Sequence, residues 1–560
     1  MSDQHQIDRK TPIAATPVTW LLEEAARRFP DRPAMDFLGK QTSYGDLAKL
    51  VDQAARGFQH LGVERGTRVA LCLPNCPYYV ISYFAVLRAG GVVVNLNPLY
   101  VEKEIRHLVE DSGAEILVTL DLIQITKKIS PLMGDSCLKK LVICSMAEAL
   151  PALKGLLFSL FKKKEIARFP DDERHVPFSR LLEAKGAPAR AVIDALNDVA
   201  VLQYTGGTTG IPKAAMLTHA NLTGNCDQLA RLVPEMPIGT GSMLVQLPLF
   251  HVFAMTVGMN LAVQFAAEMI LLPRFEQEML RKTIKRKRPT MFPGVPTLYT
   301  NINLAAEKQD WALSSIRYCI SGGAPLPMDV RQRFESLSGC QLVEGYGLSE
   351  ASPVVSCNPM GQVRDGSIGL PLPGTVVEIR DREDPTKILP QGEKGEVCVR
   401  GPQVMKGYWR RADETANVFI DGALRTGDVG YIDEDGYVYI VDRIKDLIIA
   451  GGYNIYPRVI EEALYLHPAV AEAVVIGIPD ANKGQVPKAF VTLREGQSVT
   501  EEELHKFLTG HISPIERPRQ IEFRDQLPKT LVGKLSKKEL VAEELAKRAE
   551  ATSKQSTQAN

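Results

Sequence analysis

The chain has 560 residues, 45% hydrophobic and 24% charged, with 66 basic side chains against 66 acidic ones. That length exceeds what one hydrophobic core serves, so two or more domains are expected, with the composition of a globular enzyme. Zero net charge disfavours a nucleic-acid binder, which carries a basic excess, and no run approaches the roughly 18 apolar residues of a membrane span. Nine cysteines (Cys72, Cys76, Cys137, Cys144, Cys226, Cys319, Cys340, Cys357, Cys398) are dispersed without CxxC spacing. That is the pattern of reduced thiols in the cytoplasm, not of a disulfide framework or a zinc site.

The polar stretch Met1–Thr11 does not read as a signal peptide, and residues 1–16 form a loose leader. Amphipathic spacing predicts a helix over Val18–Phe29 and a second from Ser43 to about Leu61. Arg68–Leu73, Val92–Leu96, Glu115–Thr119 and Lys140–Cys144 are short apolar runs separated by helical patterns such as Tyr78–Ala89. Such alternation predicts βαβ units and a mostly parallel sheet. Leu150–Phe169 breaks it, with Leu153, Leu156, Leu157, Phe158, Leu160 and Phe161 beside Lys154, Lys162, Lys163, Lys164 and Arg168. Basic charge along a leucine and aromatic face suits a helix lying in a membrane surface; a helix packed on its own domain shows the same pattern.

Asp198–Gln203 reads as a buried strand and leads into Tyr204-Thr-Gly-Gly-Thr-Thr-Gly-Ile-Pro-Lys213. Gly206, Gly207 and Gly210 permit a tight turn in which several N–H groups point at one anion. Thr205, Thr208 and Thr209 add hydroxyls, and Lys213 adds a positive charge. This is a phosphate cradle by chemistry, though not a Walker A loop, because Ile-Pro-Lys follows Gly210. Taken alone, it also fits a Gly/Thr-rich surface turn. Met243–Phe253 reads as a strand running into a turn, with Phe250, His251 and Phe253 placed to line an apolar pocket. Ile316–Pro325 and Gln341–Glu350 are each a strand ending in a glycine turn, where open α/β sheets hold ligands. The first offers Gly323 and Ala324; the second offers Glu344, Gly345, Tyr346 and Gly347, then the Ser349 hydroxyl and the Glu350 carboxylate.

From Gly366 the pattern changes to turns and short alternating strands, a small antiparallel β subdomain over about 366–441. It carries Thr426-Gly-Asp428. Asp442–Asp446 is a charged junction, and residues 447–548 form an α+β unit in which Lys534 sits in a glycine-containing loop. The polar tail 549–560 lacks the apolar residues to order itself. The fold class is therefore α/β: a large multi-sheet N-terminal domain, 1–441, a hinge at 442–446 and a small α+β C-terminal domain. The phosphate loop, Tyr346 for stacking a base, Glu350 as a hard oxygen ligand and Asp428 for ribose hydroxyls together describe ATP with Mg²⁺.

Tyr204–Lys213, Tyr346–Glu350, Thr426–Asp428, Asp442–Asp446 and Pro528–Lys534 resemble the signature set of the adenylate-forming superfamily, from about Thr16 to Leu540. Leu424–Gly430 and Tyr439–Pro457 are most similar to the bacterial long-chain fatty acid:CoA ligases. The resemblance implies two steps: a carboxylate attacks the α-phosphate of ATP, and coenzyme A then displaces AMP. It places Glu350 with Thr205 on Mg²⁺ and Ser349 on the α-phosphate. Asp428 and Arg443 fall on the ribose, with Gly323, Ala324 and Tyr346 around the adenine. It implies that Lys534 bridges the carboxylate and the α-phosphate, and that the C-terminal domain turns about Lys445 to bring Gly451, Gly452 and Tyr453 to coenzyme A. Gly206 stands where many relatives carry Ser, and Ala214 where they carry Gly; neither change removes a charged group.

A fatty acyl-AMP ligase, a coenzyme A ligase for aryl or medium-chain acids, and a silent nucleotide- or acyl-binding module are the alternatives. Expected partners are the fatty acid and coenzyme A, with a homodimer and a peripheral site on the inner membrane face (through 150–169) left open. Lys534→Ala is expected to cut pyrophosphate release roughly 100-fold or more with little loss of ATP affinity. Unchanged release in a stopped assay would remove Lys534 from the chemistry.

Overall fold

Short apolar runs between helices fold as the alternation predicts, into two mostly parallel sheets. The computed structural model describes residues 8–205, 212–450, 453–480, 483–530 and 535–558, with side chains to Lys547. Two compact units emerge. The first holds Met1–Arg364, Gly369–Val376 and Arg400–Phe419; the second holds Asp365–Ile368, Val377–Val399 and Ile420–Asn560.

In the first unit, a seven-stranded sheet runs in the order His175–Pro177, Lys140–Cys144, Ile116–Leu120, Arg68–Cys72, Val92–Asn95, Val199–Thr205, Lys213–Thr218. Only the last pair is antiparallel. A nine-stranded sheet runs Leu370–Pro371, Val354–Cys357, Gln341–Gly347, Tyr318–Gly322, Met291–Gly294, Ser242–Val245, Glu268–Leu271, Pro33–Phe37, Lys40–Ser43. Its six central strands are parallel, and both edges turn antiparallel. Val92–Asn95, Ile116–Leu120, Ser242–Val245, Glu268–Leu271 and Met291–Gly294 are buried at every residue, as strands covered on both faces are.

Local chemistry sets the helix ends. The second predicted helix starts at Tyr44 because the Ser43 side chain caps the Asp46 N–H at 3.1 Å. The first, Val18–Arg28, buries Val18, Leu21, Leu22 and Ala25, one face at helical spacing.

The second unit contains most of the expected antiparallel β subdomain, in which Ala423–Ile432 pairs with Gly395–Arg400 on one side and Val438–Arg443 on the other. It also contains a sheet of Tyr453–Ile455, Ile448–Ala450, Gly484–Leu493, Val470–Asp480 and Gln520–Phe523. Ile448, Ile460, Leu464, Val475, Val491, Leu504 and Leu508 form its core. The final helix runs Lys537–Gln558, whereas the tail from 549 was expected to be disordered. Ala, Glu, Lys and Gln there favour helix without any apolar face to bury.

A long-range contact fixes the N-terminal helix. His219, buried at the start of the helix His219–Ala230, accepts a hydrogen bond from the Val18 N–H at Nδ1 (3.2 Å). Burial holds the imidazole neutral and pushes its pKa from 6.5 down to about 4. The unfolded chain therefore binds a proton in that window that the folded chain does not, so stability falls as pH drops from about 6.5 to about 4. This contributes up to about 3 kcal/mol. His219→Gln should flatten that limb of a Tm–pH curve; an unchanged slope would move the effect elsewhere.

Candidate active site

The site's position is set by a ladder of buried carboxamides. Asn75, just past the strand Arg68–Cys72, donates from Nδ2 to the carbonyls of Val245 (3.2 Å) and Leu247 (2.9 Å). Its Oδ1 accepts from the Leu249 N–H at 2.8 Å. A side chain of the seven-stranded sheet thus closes the loop that leaves the nine-stranded one. The Tyr79 hydroxyl lies 2.8 Å from Asn95 Oδ1 and 2.7 Å from the Leu249 carbonyl. Asn95 donates to Gln203 Oε1 (3.0 Å), and Gln203 donates to the Phe250 carbonyl (3.1 Å). Phe250 is therefore tied to the strand that opens the phosphate loop. His251 is half-buried and accepts from the Phe253 N–H at Nδ1, 3.3 Å.

The chain then widens into a π-helical stretch, Ala254–Asn260, in which Met255 and Met259 are buried. Such wide turns recur at functional positions. The Phe253 ring packs beside Gly322, where an added Cβ would lie 3.2 Å from Phe253 Cζ. This brings the predicted apolar lining to the first glycine turn.

The two glycine turns meet because their strands pair in parallel, with Ser321 opposite Glu344 and Gly322 opposite Gly345. Gly323 takes φ +86°, a conformation that favours glycine, with Ala324 beside it. At Gly347 the chain folds back so tightly that a Cβ would sit 1.8 Å from the Pro353 carbonyl oxygen. Ser349 and Glu350 lie in the short helical turn Ser349–Ala351 of that fold-back, and Glu344 and Tyr346 in the strand before it are half-buried.

Thr205 and Lys213 are cross-strand partners, with Thr205 Oγ1 3.4 Å from the Lys213 carbonyl. Gly206, Gly207, Thr208, Thr209 and Gly210 lie outside the described residues. Beside this hairpin runs 406–409: the Met216 N–H donates to the Gly407 carbonyl (2.9 Å), and the Trp409 N–H donates to the Ala214 carbonyl (2.9 Å). The segment holds both charged groups of the site. The Tyr408 hydroxyl donates to Glu350 Oε1 at 2.8 Å, and the Met405 N–H donates to the Glu350 carbonyl at 2.7 Å. Lys213 Nζ lies 5.4 Å from the Tyr408 ring centre and forms an ion pair with Glu414.

Burial, then the Glu350 charge, raises the Tyr408 phenol pKa, so it stays a neutral donor. One accepted hydrogen bond leaves the carboxylate with lone pairs for a hard cation, so Glu350 fits a Mg²⁺ ligand. Further out, Arg411 pairs with Asp111 at 2.7 Å, and Asp111 accepts from the Tyr204 hydroxyl at 2.8 Å. Sequence reasoning missed Tyr408, Glu414, Arg411 and Asp111. The one local signal was Gly407-Tyr-Trp409, a glycine with two aromatics beyond any strand pattern.

In the second unit, Asp428 is buried and register-paired with Arg443, whose Nε donates to it at 2.9 Å. Asp442 is also buried and accepts from the N–H groups of Arg443 and Arg458, both at 2.7 Å. Burial raises its carboxyl to about 6, against the pull of Lys537. Desolvation, then Arg443, lowers the Lys445 ammonium pKa. Tyr453 is exposed at the start of its strand. Gly451, Gly452 and Lys534 lie outside the described residues.

Two parallel-paired glycine turns, a hairpin that carries Lys213 and a tethered carboxylate thus stand in one unit. Residues 22–409 match the AMP-binding enzyme family and residues 459–534 match the AMP-binding enzyme C-terminal domain. The chain belongs to the AMP-binding enzyme family. It is 43% identical over 544 residues to the long-chain-fatty-acid–CoA ligase of Bacillus subtilis (strain 168), covering 96% of this chain and 97% of the relative. It is 35% identical to the feruloyl-CoA synthase of Amycolatopsis sp, covering 92% and 96% of the two chains. Its fold resembles ATP-bound MatB from Rhodopseudomonas palustris, with TM-score 0.81, 29% identity, and 94% and 98% of the two chains covered.

Tyr408→Phe keeps the ring near Lys213 but removes the donor to Glu350. It should slow pyrophosphate release about tenfold with the fold intact, the cost of one hydrogen bond to a charged group. A rate equal to that of the unaltered chain would make Tyr408 a packing residue only.

Proposed function

We propose that the chain activates a long-chain fatty acid with ATP and transfers it to coenzyme A. In the first step a carboxylate oxygen of the acid attacks the α-phosphorus and pyrophosphate leaves. In the second, the coenzyme A sulfur attacks the acyl carbonyl and AMP leaves. The observation that carries this reading is the joint tether of Lys213 and Glu350 by the segment around Tyr408, beside the paired glycine turns. An anion cradle and a hard-cation carboxylate held in one frame suit a triphosphate, whose charge must be neutralised before attack.

We assign Glu350, with Thr205, to Mg²⁺, and Ser349 to the α-phosphate. Lys213 and Gly206–Gly210 would hold the distal phosphates, and Gly323, Ala324 and Glu344–Gly347 the adenine. Asp428 and Arg443 would hold the ribose. Lys534 is the proposed cation of the first step and Lys445 the proposed pivot, with Gly451, Gly452 and Tyr453 serving coenzyme A. We take 1–441, 442–446 and 447–548 as adenylating domain, hinge and mobile domain, working in the cytoplasm. Preference for a long chain is supported by the apolar run Phe250, Phe253, Met255 and Met259 and by the Bacillus relative. A second reading, an aryl acid, is favoured by the likeness to a feruloyl-CoA synthase.

AMP release from Mg-ATP and oleate, measured with and without coenzyme A, tests this. Release that needs coenzyme A, with an equal yield of oleoyl-CoA, is expected. Bound oleoyl-adenylate without thioester would indicate an acyl-AMP ligase. Turnover with ferulate and not oleate would indicate the aryl reading, and silence with every acid a binding module.

A further inference from the structure

The helix Ala152–Phe161 is built inside out. Its inward contact is Gly155, whose Cβ, if present, would lie 2.3 Å from the Ala147 carbonyl oxygen. Its other flank is held by Lys154, which donates to the Leu38 carbonyl at 2.7 Å. The large apolar side chains point the other way: Leu153 is 70% exposed, Leu156 58%, Leu157 43%, Leu160 64% and Phe161 80%. At about 100° per residue these five cover one arc of roughly 140°, an unbroken apolar stripe. Isolated exposed leucines are ordinary, whereas five in one stripe mark a contact surface.

Charge tells which contact. Lys162, Lys163, Lys164 and Arg168 follow the stripe and are exposed; Glu165, paired with Lys162 at 2.6 Å, is the lone acidic residue between Ala152 and Arg168. A second copy docked through this face would bring no acidic cluster to answer the lysines, because the stretch itself carries only Glu165. A bilayer with anionic headgroups is attracted by the three lysines and Arg168 and accepts the leucines at its acyl boundary. With ten residues the helix is too short to span, and no helix among the described residues is long and apolar enough to cross a membrane.

We propose that Ala152–Phe161, with the basic residues after it, docks the first unit on an anionic lipid surface, the helix lying in the plane of the headgroups. The inference does not rest on the ligase reading, since docking needs no turnover.

The test is flotation of the full chain with phosphatidylcholine vesicles containing about one part in four of phosphatidylglycerol, against Leu156→Gln/Leu160→Gln. Both leucines are exposed, so the variant should keep its Tm and its activity on a water-soluble acid. The unaltered chain is expected to float, less so at high salt, and the variant to lose about tenfold or more of its bound fraction. Lys162→Glu/Lys163→Glu/Lys164→Glu should lose binding to the anionic vesicles as well, an independent arm should the glutamine variant fail to fold. Equal flotation of all three chains, or no flotation of the unaltered one, overturns the proposal. Loss of a dimer by the glutamine variant in sedimentation, without vesicle binding by the unaltered chain, would assign the face to a second copy.

Discussion

The geometry of the first unit depends on the carboxamide ladder Asn75, Asn95 and Gln203, with the Tyr79 hydroxyl between. Two sheets packed through apolar side chains alone can slide, because dispersion and hydrophobic burial have little direction. A buried amide has direction, and leaving one of its groups unpaired costs about 1–3 kcal/mol. Asn75 is satisfied only when the loop 245–249 sits where it does, and Gln203 only when the Phe250 carbonyl is at hand. The pocket-side loop and the phosphate-side strand are thereby held in one register, and the apolar residues beyond Phe250 inherit it.

The second requirement is charge held apart from its natural partner. Lys213 and Glu350 carry opposite charge within one neighbourhood, yet they are not paired with each other. Glu414 takes the lysine and Tyr408 the carboxylate. The two thus stay separate contacts, Glu350 open to a cation and Lys213 open to a polyanion that displaces Glu414. In the second unit the opposite choice is made: Asp428 and Arg443 do pair, across adjacent strands.

Much of this was legible in the chain. Strand–turn patterns located the glycine turns at 323 and 345–347, because parallel strands are uniform apolar runs and glycine is the residue a fold-back such as that at Gly347 tolerates. His251 and Phe253 follow the strand Ser242–Val245, as the strand-into-turn pattern over Met243–Phe253 predicts. The ladder was not legible: Asn75 and Asn95 stand at strand ends, where a polar residue is ordinary, and their partners lie far along the chain. Tyr408 was hidden by distance too, 58 residues from Glu350 in sequence. Its alignment beside Ala214 and Met216 is a backbone pairing that side-chain type does not encode. For the stripe at Leu153–Phe161 periodicity showed an apolar helix without showing its facing, and Gly155 decided that.

The segment 406–409 has one more effect. Lys213–Thr218 is the edge strand of the seven-stranded sheet, and an edge presents open N–H and C=O groups to any passing strand. Backbone pairing with Gly407 and Trp409 covers part of that row, while the opposite edge is a three-residue strand ending at Pro177, too short to template another. The residues that hold the reactive groups therefore also keep the sheet from growing. A deletion there would expose a surface prone to self-association as well as weaken a site, linking the solubility of this chain to its chemistry through a few backbone hydrogen bonds.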